Sequence, residues 1–192
     1  MKLEKIVKKI EKVQSEKRFA HTLGVSYTAA ALAMRYGEDV DKARLAGILH
    51  DCGKHVEGDK SIALCEKYNI PVSEVERENP FLLHGKVGAL ISEKKFEIKD
   101  KDILNAVTNH TTGRENMSLL EKIIFVSDYI EPNRCEAPNL DIIRHMAFED
   151  IDLCLIKILE DTLNYLNKSR KSIDPQTRRT YDYYMKEKIL NG

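Results

Sequence analysis

The sequence lacks a long apolar run, an excess of either charge and a dense pattern of cysteines. No apolar stretch approaches the roughly 18 residues that indicate a membrane-spanning helix. The opening MKLEKIVKKIEKV interleaves lysine and glutamate with its apolar residues, unlike a signal peptide. The 31 basic and 31 acidic residues cancel, so no overall field attracts a nucleic acid or an anionic membrane. We therefore expect a cytoplasmic protein that binds neither partner, and expect any phosphate to bind at a local site.

The cysteines are few and scattered. Cys52, Cys65, Cys135 and Cys154 lie far apart and form no Cys-x-x-Cys pair. Secreted disulfide scaffolds are much denser in cysteine. We expect all four to be small core residues in a reducing compartment.

Hydrophobic periodicity predicts an all-α chain. Leu3, Ile6 and Ile10 recur at the helical period, and the alanine-rich segment that follows ends at Gly37, a residue suited to a helix C-terminus. No stretch alternates apolar and polar residues long enough to predict a sheet, and no repeat or flexible linker marks a domain boundary. We expect one compact helical bundle over residues 1–192. Its further helices are predicted at 40–52, 60–68, 81–96, 102–110, 118–130, 151–166 and 175–189.

Side chains that can bind a metal fall on the buried faces of five predicted helices. His110, for example, continues the apolar stripe of Ile103 and Val107. A lone histidine in such a position is more often a satisfied core residue than a metal ligand. A buried carboxylate, however, is costly unless it is paired or bound to a cation, so five such helices favour a metal site. The candidates are His21 at the start of its helix, the adjacent His50 and Asp51, His84, His110 and Asp128.

The types of these side chains narrow the choice of metal. Imidazole and carboxylate suit Fe, Mn, Co or Zn, and the lack of a thiolate among the candidates argues against a structural zinc site. The six candidates exceed what one ion needs once water completes its coordination shell. We therefore expect two metals.

The order of these residues along the chain resembles the HD superfamily of metal-dependent phosphohydrolases. Within it, the sequence is most similar to the YqeK family, the bacterial symmetrical diadenosine tetraphosphate hydrolases. A bare His-Asp pair is a weak signal, whereas the ordered set with NHTTG and SDYIEPNR is specific. The resemblance spans nearly the whole chain. The stretches that carry it are HTLGV at His21, LAGILHDCGKH at His50, LLHGKVGA at His84, NHTTGR at His110 and FVSDYIEPNR at Asp128.

The resemblance implies a helical HD-domain bundle with a di-metal centre. One metal would be held by His21, His50, Asp51 and Asp128, and a second by His84 and His110, with Asp51 bridging the two. Iron is the metal implied, with Mn or Co as alternatives. Asp51 and Lys54 are the implied catalytic residues. Two cations can generate a hydroxide from a shared water and neutralise phosphate oxygens, and Lys54, one turn on from His50, can donate to the same phosphates.

The resemblance also implies a nucleotide site around the metals. Arg134 follows a helix-breaking proline and can reach over the site. The segment from Asp174 describes a helix start, whose free N–H groups suit an anion, and the C-terminal segment, about 170–192, would close the site. The sequence departs from the family pattern at Asp182, where asparagine is expected. The implied substrate contacts are His21, Lys54, His55, His84, His110, Thr111, Asp128, Arg134, Asp174, Pro175, Gln176, Thr177, Arg178 and Arg179.

The implied activity is symmetrical hydrolysis of a dinucleoside tetraphosphate, with diadenosine tetraphosphate and water giving two ADP. The alternative enzyme is another HD nucleotide phosphohydrolase, such as a nucleotidase. The alternative from a different class is a non-catalytic, metal-bound nucleotide sensor. A cyclic dinucleotide phosphodiesterase of the HD-GYP kind is disfavoured because the sequence has no match to the Gly-Tyr-Pro signature. The N-terminal helix could pack on the bundle or on a second copy in a homodimer, and the sequence leaves both open.

Overall fold

The chain is helical throughout the range that the computed structural model describes, residues 2–191. This confirms the predicted all-α class, and no strand occurs within that range. Met1 and Gly192, the ends of the predicted domain, lie outside the described residues. The helices are α1 (Leu3–Glu11), α2 (Glu16–Tyr36), α3 (Val40–Leu49), α4 (Asp59–Lys67), α5 (Glu74–Glu78), α6 (His84–Phe96), α7 (Lys101–Asn109), α8 (Leu119–Ile130), α9 (Leu140–Glu149), α10 (Ile151–Lys168) and α11 (Pro175–Asn191), with a 3₁₀ turn at Pro80–Leu83 before α6.

Two helices are absent from the sequence-based prediction. The five-residue α5 is held by a capping box between Ser73 and Glu76, and it is too short to show a helical period. α9 buries Ile143 but leaves Ile142 60% exposed, so its apolar residues do not form one clean stripe.

The ends of the helices around the site also differ from the prediction. α3 ends at Leu49 rather than Cys52, because the following residues form a tight turn in which the Cys52 amide donates to the Leu49 carbonyl at 3.0 Å. A Cβ at Gly53 would lie 2.2 Å from the His84 carbonyl oxygen, so only glycine lets this turn approach α6 so closely. α2 begins at Glu16, where the Ser15 side chain caps it.

The N-terminal helix packs on the bundle. Ile6 and Ile10 of α1 are fully buried in the core, and α1 contacts α2 and α3. The sequence left open whether this helix packs on its own bundle or on a second copy of the protein. In the structure it packs on its own bundle.

The cysteine prediction is correct at three positions and wrong at the fourth. Cys52, Cys65 and Cys154 are buried, whereas Cys135 is exposed in the segment between α8 and α9. This segment crosses the surface, as connecting segments usually do. No helix within residues 2–191 has the length and apolar character needed to cross a membrane.

The C-terminal helix lies beside the NHTTGR segment. The Met117 amide donates to the Tyr184 hydroxyl at 2.8 Å. A Cβ at Gly113, which has a φ of +63°, would lie 2.7 Å from the methyl carbon of Thr180. α11 is thereby placed next to the loop that follows His110.

Candidate metal centre

The six predicted metal ligands converge in the interior of the bundle. They come from five helices, as predicted, but several stand at helix ends rather than on helical faces. His50 and Asp51 follow α3, His110 follows α7 and His84 is the first residue of α6. The prediction that His21 begins its helix is wrong, since it lies in the second turn of α2. Helix ends allow side chains from different elements to approach one another more closely than mid-helix positions do.

The Asp51 carboxylate lies between two sets of histidines. Its Oδ2 atom is 3.6 Å from His50 Nε2 and 4.0 Å from His21 Nε2. Its Oδ1 atom is 3.5 Å from His110 Nε2 and 3.7 Å from His84 Nε2. Two groups of side chains are therefore close enough to hold a metal ion each, and Asp51 belongs to both.

Three of the four imidazoles are oriented in the same way. In each, Nδ1 contacts the backbone carbonyl three residues earlier at 2.7 Å; the rings are those of His50, His84 and His110. A carbonyl oxygen only accepts hydrogen bonds, so Nδ1 carries the proton and Nε2 of the neutral ring carries a lone pair. These lone pairs point into the space around Asp51.

The arrangement fits a pair of bound cations. The Nε2 atoms of His84 and His110 face each other at 3.1 Å, and Oδ1 of Asp51 has no hydrogen-bond partner among the described residues. Facing acceptors and an unpartnered buried carboxylate oxygen are costly unless a cation lies among them. Imidazole and carboxylate are the ligands of Fe, Mn, Co and Zn sites. The side chains present therefore suit divalent metals.

Burial keeps the imidazoles of His50 and His84 neutral, which is the state that binds a metal ion. It lowers the pKa of His50 to about 4 and, together with the nearby His110, lowers the pKa of His84 to about 3. Burial also opposes ionisation of Asp51, but the neighbouring His50, His110 and Lys54 outweigh it and hold the pKa of that carboxyl well below its usual range. At neutral pH His50 and His84 are thus neutral imidazoles, and Asp51 is an ionised carboxylate.

Asp128 stands beside the first histidine set. Its Oδ1 atom is 3.0 Å from His21 Nε2 and 3.9 Å from His50 Nε2. The same oxygen accepts a hydrogen bond from Arg134 Nη2 at 3.0 Å. Arg134, predicted to reach over the site, therefore contacts the outer side of one predicted metal ligand and keeps 41% of its side chain exposed.

Two further predicted residues line the centre, and a third does not contact the ligands. Lys54 Nζ is 2.8 Å from Asp51 Oδ2, and about a third of its side chain, 34%, is exposed. Thr111 Oγ1 is 3.2 Å from His84 Nε2. His55 is exposed, and its ring Nδ1 contacts the Cys52 carbonyl at 2.8 Å.

The predicted segment from Asp174 to Arg179 forms the start of α11. Asp174 Oδ1 accepts from the Gln176 amide at 2.8 Å, so this aspartate caps its own helix. Thr177 is buried, whereas Pro175, Arg178 and Arg179 are exposed. The Thr177 amide donates to the Asp174 carbonyl at 3.0 Å, so the Gln176 and Thr177 amides are already paired and the prediction of free N–H groups at this helix start is wrong for them.

A network behind the NHTTGR segment fixes its position. Arg114 donates to both carboxylate oxygens of the buried Glu121, at 2.7 and 2.6 Å, and Asn109 Nδ2 donates to Glu121 at 2.9 Å. Paired hydrogen bonds of this kind fix geometry as well as adding stability. The network holds the residues on both sides of His110.

One carboxylate next to the centre was missed by the sequence analysis. Glu131 is 1% exposed, and its Oε1 atom is 3.0 Å from His21 Nδ1. Burial lowers the pKa of the His21 imidazole, but Asp128 and Glu131 outweigh it and the pKa is raised. Glu131 lies within the SDYIEPNR motif, yet no local pattern connects it to a histidine 110 residues earlier.

Known proteins are similar to this chain in sequence. The HD domain family model matches residues 18–133. The chain is 38% identical to the symmetrical bis(5'-nucleosyl)-tetraphosphatase of Bacillus subtilis, over 88% of this chain and 90% of the relative. It is 40% identical to the protein of the same name from Halalkalibacterium halodurans, over 90% and 91%.

A solved structure shows the same architecture. The crystal structure of a predicted HD superfamily hydrolase involved in NAD metabolism, from Clostridium acetobutylicum, superposes with a TM-score of 0.94. The two chains are 38% identical, and the match covers 97% of this chain and 98% of the other. The chain therefore belongs to the HD superfamily of metal-dependent phosphohydrolases and, within it, to the YqeK family of symmetrical bis(5'-nucleosyl)-tetraphosphatases.

Proposed function

We propose that this protein hydrolyses dinucleoside tetraphosphates symmetrically, so that diadenosine tetraphosphate and water give two ADP. The observation that carries the proposal is the position of Asp51, whose two oxygens face two separate histidine sets. Family membership and this arrangement support the same chemistry. The alternatives of a nucleotidase and of a non-catalytic sensor are supported by no separate feature of the molecule.

The metal-binding roles are part of this proposal. His21, His50, Asp51 and Asp128 would hold one divalent ion, and His84, His110 and the shared Asp51 would hold the other. Iron is the proposed metal, with Mn or Co as alternatives. When bound, two such ions supply a hydroxide near neutral pH and neutralise the charge that develops on phosphate oxygens.

The residues of the chain bind and orient the substrate around that centre. Lys54, 2.8 Å from Asp51 and open to solvent on one side, can donate to a phosphate oxygen while remaining next to the shared carboxylate. Thr111, 3.2 Å from His84 Nε2, places a hydroxyl at the second set. Arg134 beside Asp128 places a guanidinium at the first set. The tetraphosphate is thus flanked by donors at both ends of the centre.

One terminal nucleotide of the substrate is assigned to the C-terminal helix. The start of α11, Asp174 to Arg179, lies on the helix that packs near the NHTTGR loop, and Arg178 and Arg179 there expose guanidinium groups that can pair with a phosphate. We propose that residues 170–192 close the nucleotide site within one domain. We include His55 among the substrate contacts because it is exposed next to Lys54.

Product identification on a nucleotide panel tests this function. Purified protein of known metal content is incubated with diadenosine tetraphosphate, ATP, ADP and AMP, and the products are separated by chromatography. We expect ADP alone from the tetraphosphate at early times. Release of inorganic phosphate from mononucleotides would support the nucleotidase instead, and binding without hydrolysis in the presence of Fe, Mn and Co would support the sensor.

A further inference from the structure

Glu131 lies directly behind a predicted metal ligand. The Glu131 carboxylate is buried at the end of α8, and its Oε1 atom is 3.0 Å from His21 Nδ1. At the opposite edge of the same ring, the Nε2 atom lies 3.0 Å from Asp128 Oδ1. The ring is therefore held between a carboxylate behind it and the proposed first metal set in front of it.

This support distinguishes His21 from the other histidines of the centre. The rings of His50, His84 and His110 each have a neutral backbone carbonyl behind Nδ1. A carboxylate behind a metal-binding imidazole fixes its orientation and makes it a more basic ligand than a carbonyl does. The two metal sets therefore differ: only the first has an ionisable group of this kind behind one of its rings.

The Glu131 carboxylate is anchored on its far side. Its Oε2 atom accepts from the Asn133 amide at 2.8 Å and from Asn133 Nδ2 at 3.0 Å. The backbone around it is held by Arg144, which donates to the Ile130 carbonyl at 2.9 Å and to the Glu131 carbonyl at 3.1 Å. These contacts fix the side of the carboxylate that does not face His21.

Gly24 provides the space that this carboxylate occupies. A Cβ at Gly24, one turn after His21 on α2, would lie 2.1 Å from Glu131 Oε2 and 3.0 Å from its carboxyl carbon. Any larger residue at position 24 would have to displace the carboxylate. Glycine is less favourable than alanine in the interior of a helix, so the glycine at this position sacrifices helix propensity and leaves room for the Glu131 carboxylate.

We propose that Glu131 is a positioning residue that orients His21 and strengthens metal binding at the first set. Gly24 admits the carboxylate to that position. The inference rests on the metal ligands assigned in the proposed function. The experiment below measures metal affinity and not hydrolysis. The inference about Glu131 and the proposed hydrolytic function can therefore fail independently.

The test is a Co²⁺ titration of full-length protein against a competing chelator, in a His110→Ala background that weakens the second set. Glu131→Gln keeps the size of the side chain and removes its charge. We expect it to lower Co²⁺ affinity roughly 10–100-fold, the usual loss when such a supporting group is changed. The visible spectrum of bound Co²⁺, which responds to the orientation of its ligands, should change as well.

Gly24→Ala provides an independent change that removes no polar group and acts only by the space its methyl group takes. It should lower affinity in the same direction by displacing the carboxylate, and the Gly24→Ala/Glu131→Gln double variant should lose little more than Glu131→Gln alone. His21→Ala sets the upper limit of the effect, and adding Glu131→Gln to it should have no further consequence. The matched control is Glu76→Gln, which neutralises another buried carboxylate, the partner of Lys86, and should leave Co²⁺ affinity unchanged.

Two results would overturn the proposal. One is a Glu131→Gln variant whose Co²⁺ affinity and spectrum are unchanged. Even if the thermal stability of that variant falls, such a result would assign the carboxylate a purely structural role. The other is a loss on Glu131→Gln that remains in full when His21 is already alanine. Circular dichroism of each metal-free variant verifies that the fold is retained, and Gly24→Ala, which favours the helix, provides the second variant if Glu131→Gln fails to fold.

Discussion

The Nε2 atoms of His84 and His110 lie 3.1 Å apart, while both rings have Nδ1 against a backbone carbonyl at 2.7 Å. In the neutral rings two lone pairs thus face each other in a buried space. A cation that both nitrogens bind removes the repulsion, and Asp51 Oδ1 lies 3.5 Å from one of them to complete the set. This relationship supports the proposal that His84, His110 and Asp51 hold a second metal ion.

We predict close to two metal ions per chain in protein prepared without chelator. His84→Ala and His110→Ala should each lower the ratio towards one, because each removes a ligand of the second set only. Elemental analysis of gel-filtered protein gives the ratio. A wild-type ratio of one that excess Fe or Mn fails to raise would contradict the di-metal arrangement.

Removing the metals should destabilise the fold. Each ion present at about 100 times its dissociation constant stabilises a protein by roughly 2.7 kcal/mol. In a chain of this size each kcal/mol corresponds to roughly 2–4 °C, so chelation should lower Tm by roughly 5–10 °C for each ion removed and by roughly twice that when both are lost. Calorimetry with and without restored metal measures the difference. Asp51→Asn should abolish most of it, and a wild-type Tm indifferent to chelation would show that the centre is empty in solution.

The metal-free protein should lose stability as the pH falls below about 6.5. The pKa values of His50 and His84 are lowered to about 4 and about 3, so between pH 6.5 and 4 the unfolded chain binds more protons than the folded one. The contribution of the two neutral histidines to the free energy of unfolding is complete above pH 6.5. It is lost progressively as the pH falls below that value. Urea unfolding at several pH values measures it. His84→Gln should flatten the dependence and the exposed His145→Gln should not; equal slopes in all three proteins would refute the assignment.

Asp51→Ala and Lys54→Ala should separate metal binding from substrate binding. Asp51→Ala removes the carboxylate common to both sets, so metal content and activity should both fall. Lys54→Ala should keep the metals and lose roughly 100-fold or more in rate, the usual loss of a donor to developing charge. The exposed Lys60→Ala is the control. Loss of metal in Lys54→Ala would assign this lysine to the structure of the centre, through its 2.8 Å contact with Asp51.

ADP should compete with the substrate, and AMP should compete poorly. ADP reproduces the half of the tetraphosphate whose terminal phosphate faces the metals, whereas AMP lacks that phosphate. Arg134→Ala should raise KM more than it lowers kcat and should leave the products unchanged, since its guanidinium contacts Asp128 from the outer side of the centre. Inhibition constants and steady-state kinetics provide the comparison, with the exposed Arg77→Ala as control. Equal inhibition by AMP and ADP would contradict this placement.

Three of the proposed metal ligands could be predicted from local sequence patterns. His110 stands at the helical period of an apolar face, and the adjacent His50 and Asp51 form a motif that the HD superfamily shares. The exact end of α3 was not predictable, because close packing of Gly53 against α6, rather than any local propensity, sets the tight turn that follows it.

The position of Glu131 behind His21 could not be predicted from the sequence. Its contact with His21 spans 110 positions of the chain and depends on a glycine on α2 that has no motif of its own. The exposure of Cys135 likewise depends on the path of the connection between α8 and α9 over the surface. The cytoplasmic location, the homodimer and the single-domain boundaries stay predictions.

Hydrolysis of diadenosine tetraphosphate in ¹⁸O-labelled water tests the central claim most directly. A hydroxide that attacks between the two halves of the tetraphosphate would place one ¹⁸O in the terminal phosphate of one of the two ADP molecules. Mass spectrometry should therefore find the label in half of the ADP formed and in no other product. Label in AMP or ATP would demonstrate an asymmetric cut and contradict the account.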